Sequence, residues 1–214
     1  MFSFFKSTNY LKISVVLFTI ATSLSCSNSL TFTQAEMDLI GSDSIAGKMR
    51  LFIIDNPADT LVLRSISTDL TKTDFQSAYY STLKKRMMVT VLDTANTGVG
   101  IAAPQVGINK RLIIVQRYDK VGGPYECYAN ARLLELSQDC SLIREGCLSV
   151  PNRQDSVMRS NMVVVSYLDD KSFTEKIDTI RGFTAVIFQH EIDHLEGILY
   201  IDKAASRDKM MSTK

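Results

Sequence analysis

The stretch from Phe183 to Gly197, Phe-Thr-Ala-Val-Ile-Phe-Gln-His-Glu-Ile-Asp-His-Leu-Glu-Gly, constrains this chain more than any other. Positions 183, 186, 187, 190, 191, 194, 195 and 198 follow the i, i+3, i+4, i+7 spacing of one helical face. They read Phe, Val, Ile, His, Glu, His, Leu and Ile. The spacing predicts a helix over 183–196, with Gly182 before it and Gly197 as its stop. Three titratable groups on the apolar stripe would each cost free energy if left unpaired. Two histidines at i and i+4 present their imidazoles to one point, so a cation there satisfies both. The bland alternative is a pair of core histidines satisfied by hydrogen bonds, and His-Glu-x-x-His within such a stripe weighs against it.

A hydrolytic site of this kind wants three protein ligands and an open position. Nothing downstream supplies the third: the sixth residue after His194 is Tyr200, no Glu follows Glu196, and the chain has only two histidines. The ligand therefore comes from upstream, and a thiolate is the strongest remaining candidate. The four cysteines, at 26, 127, 140 and 147, fit neither a CxxC zinc pattern nor a dense disulfide framework. Cys147 lies in Glu145-Gly-Cys-Leu-Ser-Val-Pro151, where a lone cysteine is by itself more often a small buried hydrophobe. Thr97 to Gly107 is glycine-rich and equally open to a packed turn before a strand.

With 214 residues, 45% of them hydrophobic and 22% charged, the chain can bury one sizeable core without disulfides. A net charge of +1 and no basic stripe argue against nucleic acid as a partner. Lys6 and Lys12 precede an apolar run, Ile13 to Leu24, too short to span a bilayer comfortably. With Ser25 before Cys26, residues 1–26 read as a signal peptide of the lipoprotein type, with Cys26 as the lipidated residue. Ser23 stands where such signals usually carry Leu. Residues 27–48, rich in Ser, Thr, Asp and Gly, read as a flexible tether, and 49–208 as the catalytic domain. This order places the protein in the cell envelope on a lipid anchor, facing away from the cytoplasm; without the signal it would be cytoplasmic. Helical spacing runs between Asp74 and Asp93. Strands are expected at 111–116, 126–130 and 162–167, and Ile198 to Ile201 looks extended. Helices flanking strands make the fold class α+β.

Taken together, GVGIAAPQ (98–105), EGCLS (145–149) and QHEIDHLEG (189–197) resemble, in that order, the three signature motifs of peptide deformylases. The likeness extends from about Ile54 to Asp202. It implies a deformylase-like fold, antiparallel or mixed sheets packed around a C-terminal metal-binding helix. It implies one divalent ion, Fe(II) or Zn(II), on Cys147, His190 and His194, with water completing the tetrahedron. Glu191 would be the general acid/base, and Gln105 and the Leu148 N–H would stabilise the oxyanion. Gly98, Val99 and Gly100 would pair with an N-formylated peptide. Glu145, Arg159 and Asp193 would support the ligands, and the chain would act as a monomer. The expected reaction is hydrolytic removal of the formyl group from formyl-methionyl peptides. Two readings compete: a metallo-amidase or peptidase acting on non-formyl substrates, and a peptide-binding lipoprotein without turnover. The sequence departs from the family pattern at Ala131, where proline is common after Asn130, which is expected to loosen one turn. It departs again at Asn152, where glycine is frequent. A Cys127–Cys140 disulfide is left open.

Overall fold

A computed structural model of the protein describes residues 30–41, 47–95, 98–169 and 171–204. Five antiparallel strands form the main sheet: β1 (Gly100–Ala102), β2 (Leu112–Gln116), β3 (Tyr125–Leu136), β6 (Met162–Asp169) and β7 (Glu175–Arg181), in that spatial order. Between β3 and β6 the chain makes a separate hairpin, β4 (Cys140–Cys147) and β5 (Val150–Ser160). The expected α+β class is what forms.

Strand β2 shows why the sheet is central. Leu112 and Ile114 face one core cluster and Ile113 and Val115 the other, all four fully buried. A strand covered on both faces loses alternation and reads as a continuous apolar run. Helix α4 (Ala78–Val91) covers the first face with Leu83, Met87 and Val91. Helix α5 (Gly182–Leu195) covers the second with Ala185, Phe188, Ile192 and Leu195. Each buried Leu, Ile or Phe contributes about 1.5–3 kcal/mol.

Helix α5 departs from the simple stripe expected for it. It lies between the sheet and the β4–β5 hairpin, so almost every side is covered, whereas Phe183 is half exposed. The expected stripe meets the hairpin at His190 and His194 and the sheet core at Ile187 and Leu195, while Ala185, Phe188 and Ile192 extend the core face beyond it. The helix ends where expected. Gly197 takes φ +71°, its N–H donates to the His194 carbonyl, and that of Ile198 donates to Asp193, a Schellman closure. A Cβ at 197 would lie 2.4 Å from the Arg64 carbonyl oxygen.

Other expectations need correction. The helical spacing between Asp74 and Asp93 resolves into α3 (Lys72–Phe75) and α4, because the Ser77 hydroxyl accepts from the Tyr80 N–H and starts a new helix. Ile198 to Ile201 is not extended: Asp202 accepts from the Leu199 N–H, and α6 (Tyr200–Lys203) follows. The turn expected to loosen at Asn130-Ala131 is instead pinned. Asn130 adopts φ +51° at a bulge, and its side-chain amide both accepts from and donates to the Leu70 backbone. Cys127 lies on β3 against the first core cluster and Cys140 is exposed at the start of β4, with no disulfide between them.

The tether expected over 27–48 is corrected in its described part. Helix α1 (Gln34–Gly41) packs on α4 and buries Ile40, with Phe32 buried just ahead of it; the short helix α2 (Pro57–Leu63) follows, capped by Asn56. Arg86 donates to the carbonyls of Leu39 and Ile40 at 2.8 and 2.6 Å. The signal was present: Thr33 and Glu36 form a reciprocal capping box. The lipidation and signal-peptide reading of residues 1–26 lies outside the described residues.

Candidate metal centre

The Cys147 sulfur and one nitrogen from each of His190 and His194 lie within 4.8 Å of one another, and the sulfur is 3.2 Å from His194 Nε2. The two histidines ride on α5, one turn apart. Cys147 ends β4, and the two-residue turn Leu148-Ser149 leads into β5. That turn directs the Ser149 N–H to the Cys147 sulfur at 3.4 Å, and Gln105 Nε2 reaches the same sulfur at 3.4 Å.

Support comes from one buried charge chain. Arg159 on β5 donates to both oxygens of Glu145, at 2.6 and 3.0 Å, and to Asp193 at 2.6 Å. Glu145 in turn meets His190 Nδ1 at 2.8 Å, which fixes the ring and leaves Nε2 for a ligand. Burial alone would raise the Glu145 carboxyl, but His190 and Arg159 outweigh it and hold it at about 2. The three groups expected to support the ligands are thus one network joining α5 to the hairpin. Sequence reasoning missed three further contributors. Lys203 pairs with Asp193 at 2.6 Å, Tyr200 stacks on His190 at 6.1 Å between ring centres, and the Tyr125 hydroxyl donates to the Gly98 carbonyl at 2.7 Å. No spacing rule connects these positions.

The electrostatics call for positive charge between sulfur and imidazoles. Burial pushes the Cys147 thiol up, yet His194 and His190 together bring it well below the usual thiol range. Burial pushes His190 down, while Cys147 and Glu145 bring it well above the ordinary imidazole value. Glu191 is driven up to about 7 by burial, against the opposing pull of both histidines. Its Oε2 is buried without a hydrogen-bond partner, as is His194 Nδ1. Two imidazoles and a thiolate fit a divalent cation with one position left for a ligand, and the unsatisfied Glu191 oxygen is a separate acceptor in the same buried site.

A cleft of about 690 Å³ opens beside these atoms. Gly98, Val99 and Gly100 line one wall, the hairpin another, and Phe183, Val186 and Ile187 the floor near His190 and Glu191. Strand β1 is the edge of the main sheet, so its outer side is available to an added strand. Asn152 on the rim takes φ +59°, a conformation that asparagine tolerates better than most residues, which explains how it stands where glycine is frequent.

The family model for polypeptide deformylase matches residues 50–210. The peptide deformylase of Leptospira biflexa serovar Patoc is 33% identical over 164 residues, covering 73% of this chain and 88% of that protein. The class I type b peptide deformylase of Acinetobacter baumannii, solved with Met-Ala-Ser bound, superposes with a TM-score of 0.64 at 34% identity, covering 73% of this chain and 98% of that one. The peptide deformylase of Thermotoga maritima gives a TM-score of 0.64 at 32% identity over 74% of this chain and 99% of that one. With three quarters of its length matched and the sulfur of its second motif meeting the imidazoles of its third at one point, this chain belongs to the polypeptide deformylase family.

Proposed function

We infer that the protein is a metal-dependent hydrolase that removes the formyl group from N-terminal formyl-methionyl peptides and releases formate. The observation that carries this is the meeting of Cys147, His190 and His194 beside a buried, unpartnered Glu191 oxygen. The Met-Ala-Ser held by the Acinetobacter relative is the product that such a reaction leaves.

Cys147, His190 and His194 would hold one divalent cation, which when bound supplies Lewis-acid polarisation and makes water a nucleophile near neutral pH. The thiolate donor favours Fe(II) or Zn(II) over Mg or Ca. Glu191 takes the proton of the attacking water as oxygen adds to the formyl carbon, then delivers it to the amine nitrogen as the C–N bond breaks. Its elevated value, about 7, suits a group that must both accept and release a proton. Gln105 Nε2 and the Leu148 N–H donate to the developing oxyanion. Gln105 is aimed for this because its Oε1 accepts from the Ala102 N–H at 2.8 Å. The segment Gly98–Gly100, which leads into the edge strand β1, aligns the peptide backbone.

On the reading of residues 1–26 as a lipoprotein signal, the enzyme would work in the cell envelope on secreted or scavenged formyl-peptides. There a thiolate site favours Zn(II), since Fe(II) with sulfur is fragile under oxidation. Palmitate labelling of the parent and of Cys26→Ala tests the anchor; unchanged membrane association in the variant would remove it. Formate release from formyl-Met-Ala-Ser, set beside cleavage of the unformylated peptide, tests the reaction. Glu191→Gln should keep its cation and lose turnover. Equal activity in variant and parent would discard the mechanism.

A further inference from the structure

The charged residues lining the cleft are unequal. Glu145 is spent on Arg159 and His190, and Glu191 is buried at the reacting end. The open rim carries Arg144 and Arg153. Arg153 is held by Asp155 through Nε and Nη2 at 3.2 and 2.9 Å, and its carbonyl accepts from the Tyr200 hydroxyl at 2.8 Å. Arg144 is exposed and forms no ion pair among the described residues. The residues lining the cleft therefore include one committed arginine and one without an ion-pair partner among the described residues.

Position supplies the second half of the argument. Arg144 precedes Cys147 by three residues on β4. At about 3.3 Å per residue this sets it roughly 10 Å along the strand from the metal ligand. An extended peptide covers the same distance, roughly 10 Å, by its third residue, and Arg144 lines the cleft that such a peptide would fill.

We propose that Arg144 selects formyl-peptides carrying a carboxylate at or just after the third residue, with Arg153 as its auxiliary. The carboxylate is either an acidic side chain or the free C-terminus of a tripeptide. The inference rests on the deformylase reading and names its substrate class. An exposed guanidinium–carboxylate pair contributes up to about 1 kcal/mol, or about fivefold in kcat/KM, mostly through KM and screened by salt.

The test measures formate release from four peptides: formyl-Met-Ala-Ser-amide, formyl-Met-Ala-Ser with a free carboxylate, formyl-Met-Ala-Glu-amide and formyl-Met-Ala-Lys-amide. The expected result is about a fivefold advantage in kcat/KM for one or both carboxylate peptides over the neutral amide. A gain confined to the second peptide identifies the chain terminus as the ligand, and a gain confined to the third identifies the side chain. Arg144→Gln should bring the ratios to about one, and Arg144→Glu should favour the lysine peptide. Ratios within one protein are insensitive to how much of it folds. Equal rates on all four peptides in the parent would overturn the proposal while leaving deformylation standing; no formate from any of them would overturn both.

Discussion

Gly100 lies so close to Glu191 that a Cβ at position 100 would sit 2.5 Å from the carboxylate oxygen Oε1. Gly100 is absent from the positive-φ glycines, so the demand is for space rather than for an unusual backbone. Gly100→Ala should push the Glu191 carboxylate out of line and reduce kcat by at least about a hundredfold, the usual worth of a positioned acid/base. Cation content measured by elemental analysis should be unchanged, because no ligand atom moves. A variant with normal kcat would mean that Glu191 has slack the packing does not show.

Among the described residues, Arg159 is the only cation shared by the buried carboxylates Glu145 and Asp193. Arg159→Met keeps much of the volume and strands both charges, with His190 and Lys203 as their remaining partners. Removing one partner of a buried network costs about 3–5 kcal/mol. Urea unfolding should shift accordingly, and cation affinity should fall about 10- to 100-fold through the loosened His190 ring. Stability equal to the parent would show that His190 and Lys203 suffice.

Removing the cation with a chelator should lower the melting temperature and restoring Zn(II) or Fe(II) should recover it, since ligand bound only to the native state stabilises by mass action. At a thousandfold excess over Kd the difference is about 4 kcal/mol. Cys147→Ala should melt at one temperature with or without chelator. A variant that still responded would place the cation elsewhere.

Arg117, buried on the second core face, holds Asp119 at 2.7 Å and brings its carboxyl from 3.8 to about 2 against a smaller opposing effect of burial. A carboxyl depressed in the folded state stabilises above its unfolded value and loses that contribution as pH falls through its folded one. Stability supplied by this pair should therefore fade between about pH 4 and pH 2. Asp119→Asn should flatten that part of the urea-midpoint profile, and an unchanged profile would count against the pair.

A chain beginning at Met49 should unfold at lower urea than one beginning at Leu30. The shorter chain loses Phe32, Ile40 and both carbonyl partners that α1 offers Arg86. At about 1.5–3 kcal/mol per large buried side chain, the loss should reach at least about 3 kcal/mol. Equal midpoints would return residues 30–41 to the role of a passive linker.

The helix carrying His190, Glu191 and His194 was legible because two periods coincide there, an apolar stripe and a ligand spacing. Strand β2 was legible as a short apolar run. The partner strands β4, β5 and β7 were not. Arg153, Gln154 and Asp155 on β5 and Glu175 and Lys176 on β7 are polar and largely exposed, so neither alternation nor hydrophobicity marks them. What holds them is hydrogen bonding to distant strands, which no local window contains. The meeting of Cys147 with the histidines rested on the resemblance of three motifs, and the Lys203–Asp193 and Tyr125–Gly98 contacts had no signal at all. Asn130 misled for a related reason: the sequence shows Ala131 where proline is usual, but not the amide that pins Leu70.

The site draws on Gln105 before the sheet is half built, on Cys147 in the hairpin, and on His194 at the end of α5. A ribosome delivers these in order, so the sulfur emerges long before the imidazoles that turn it from a loose thiol into a ligand. Until the helix that carries both histidines docks, the growing chain cannot capture its ion or cut a formyl group.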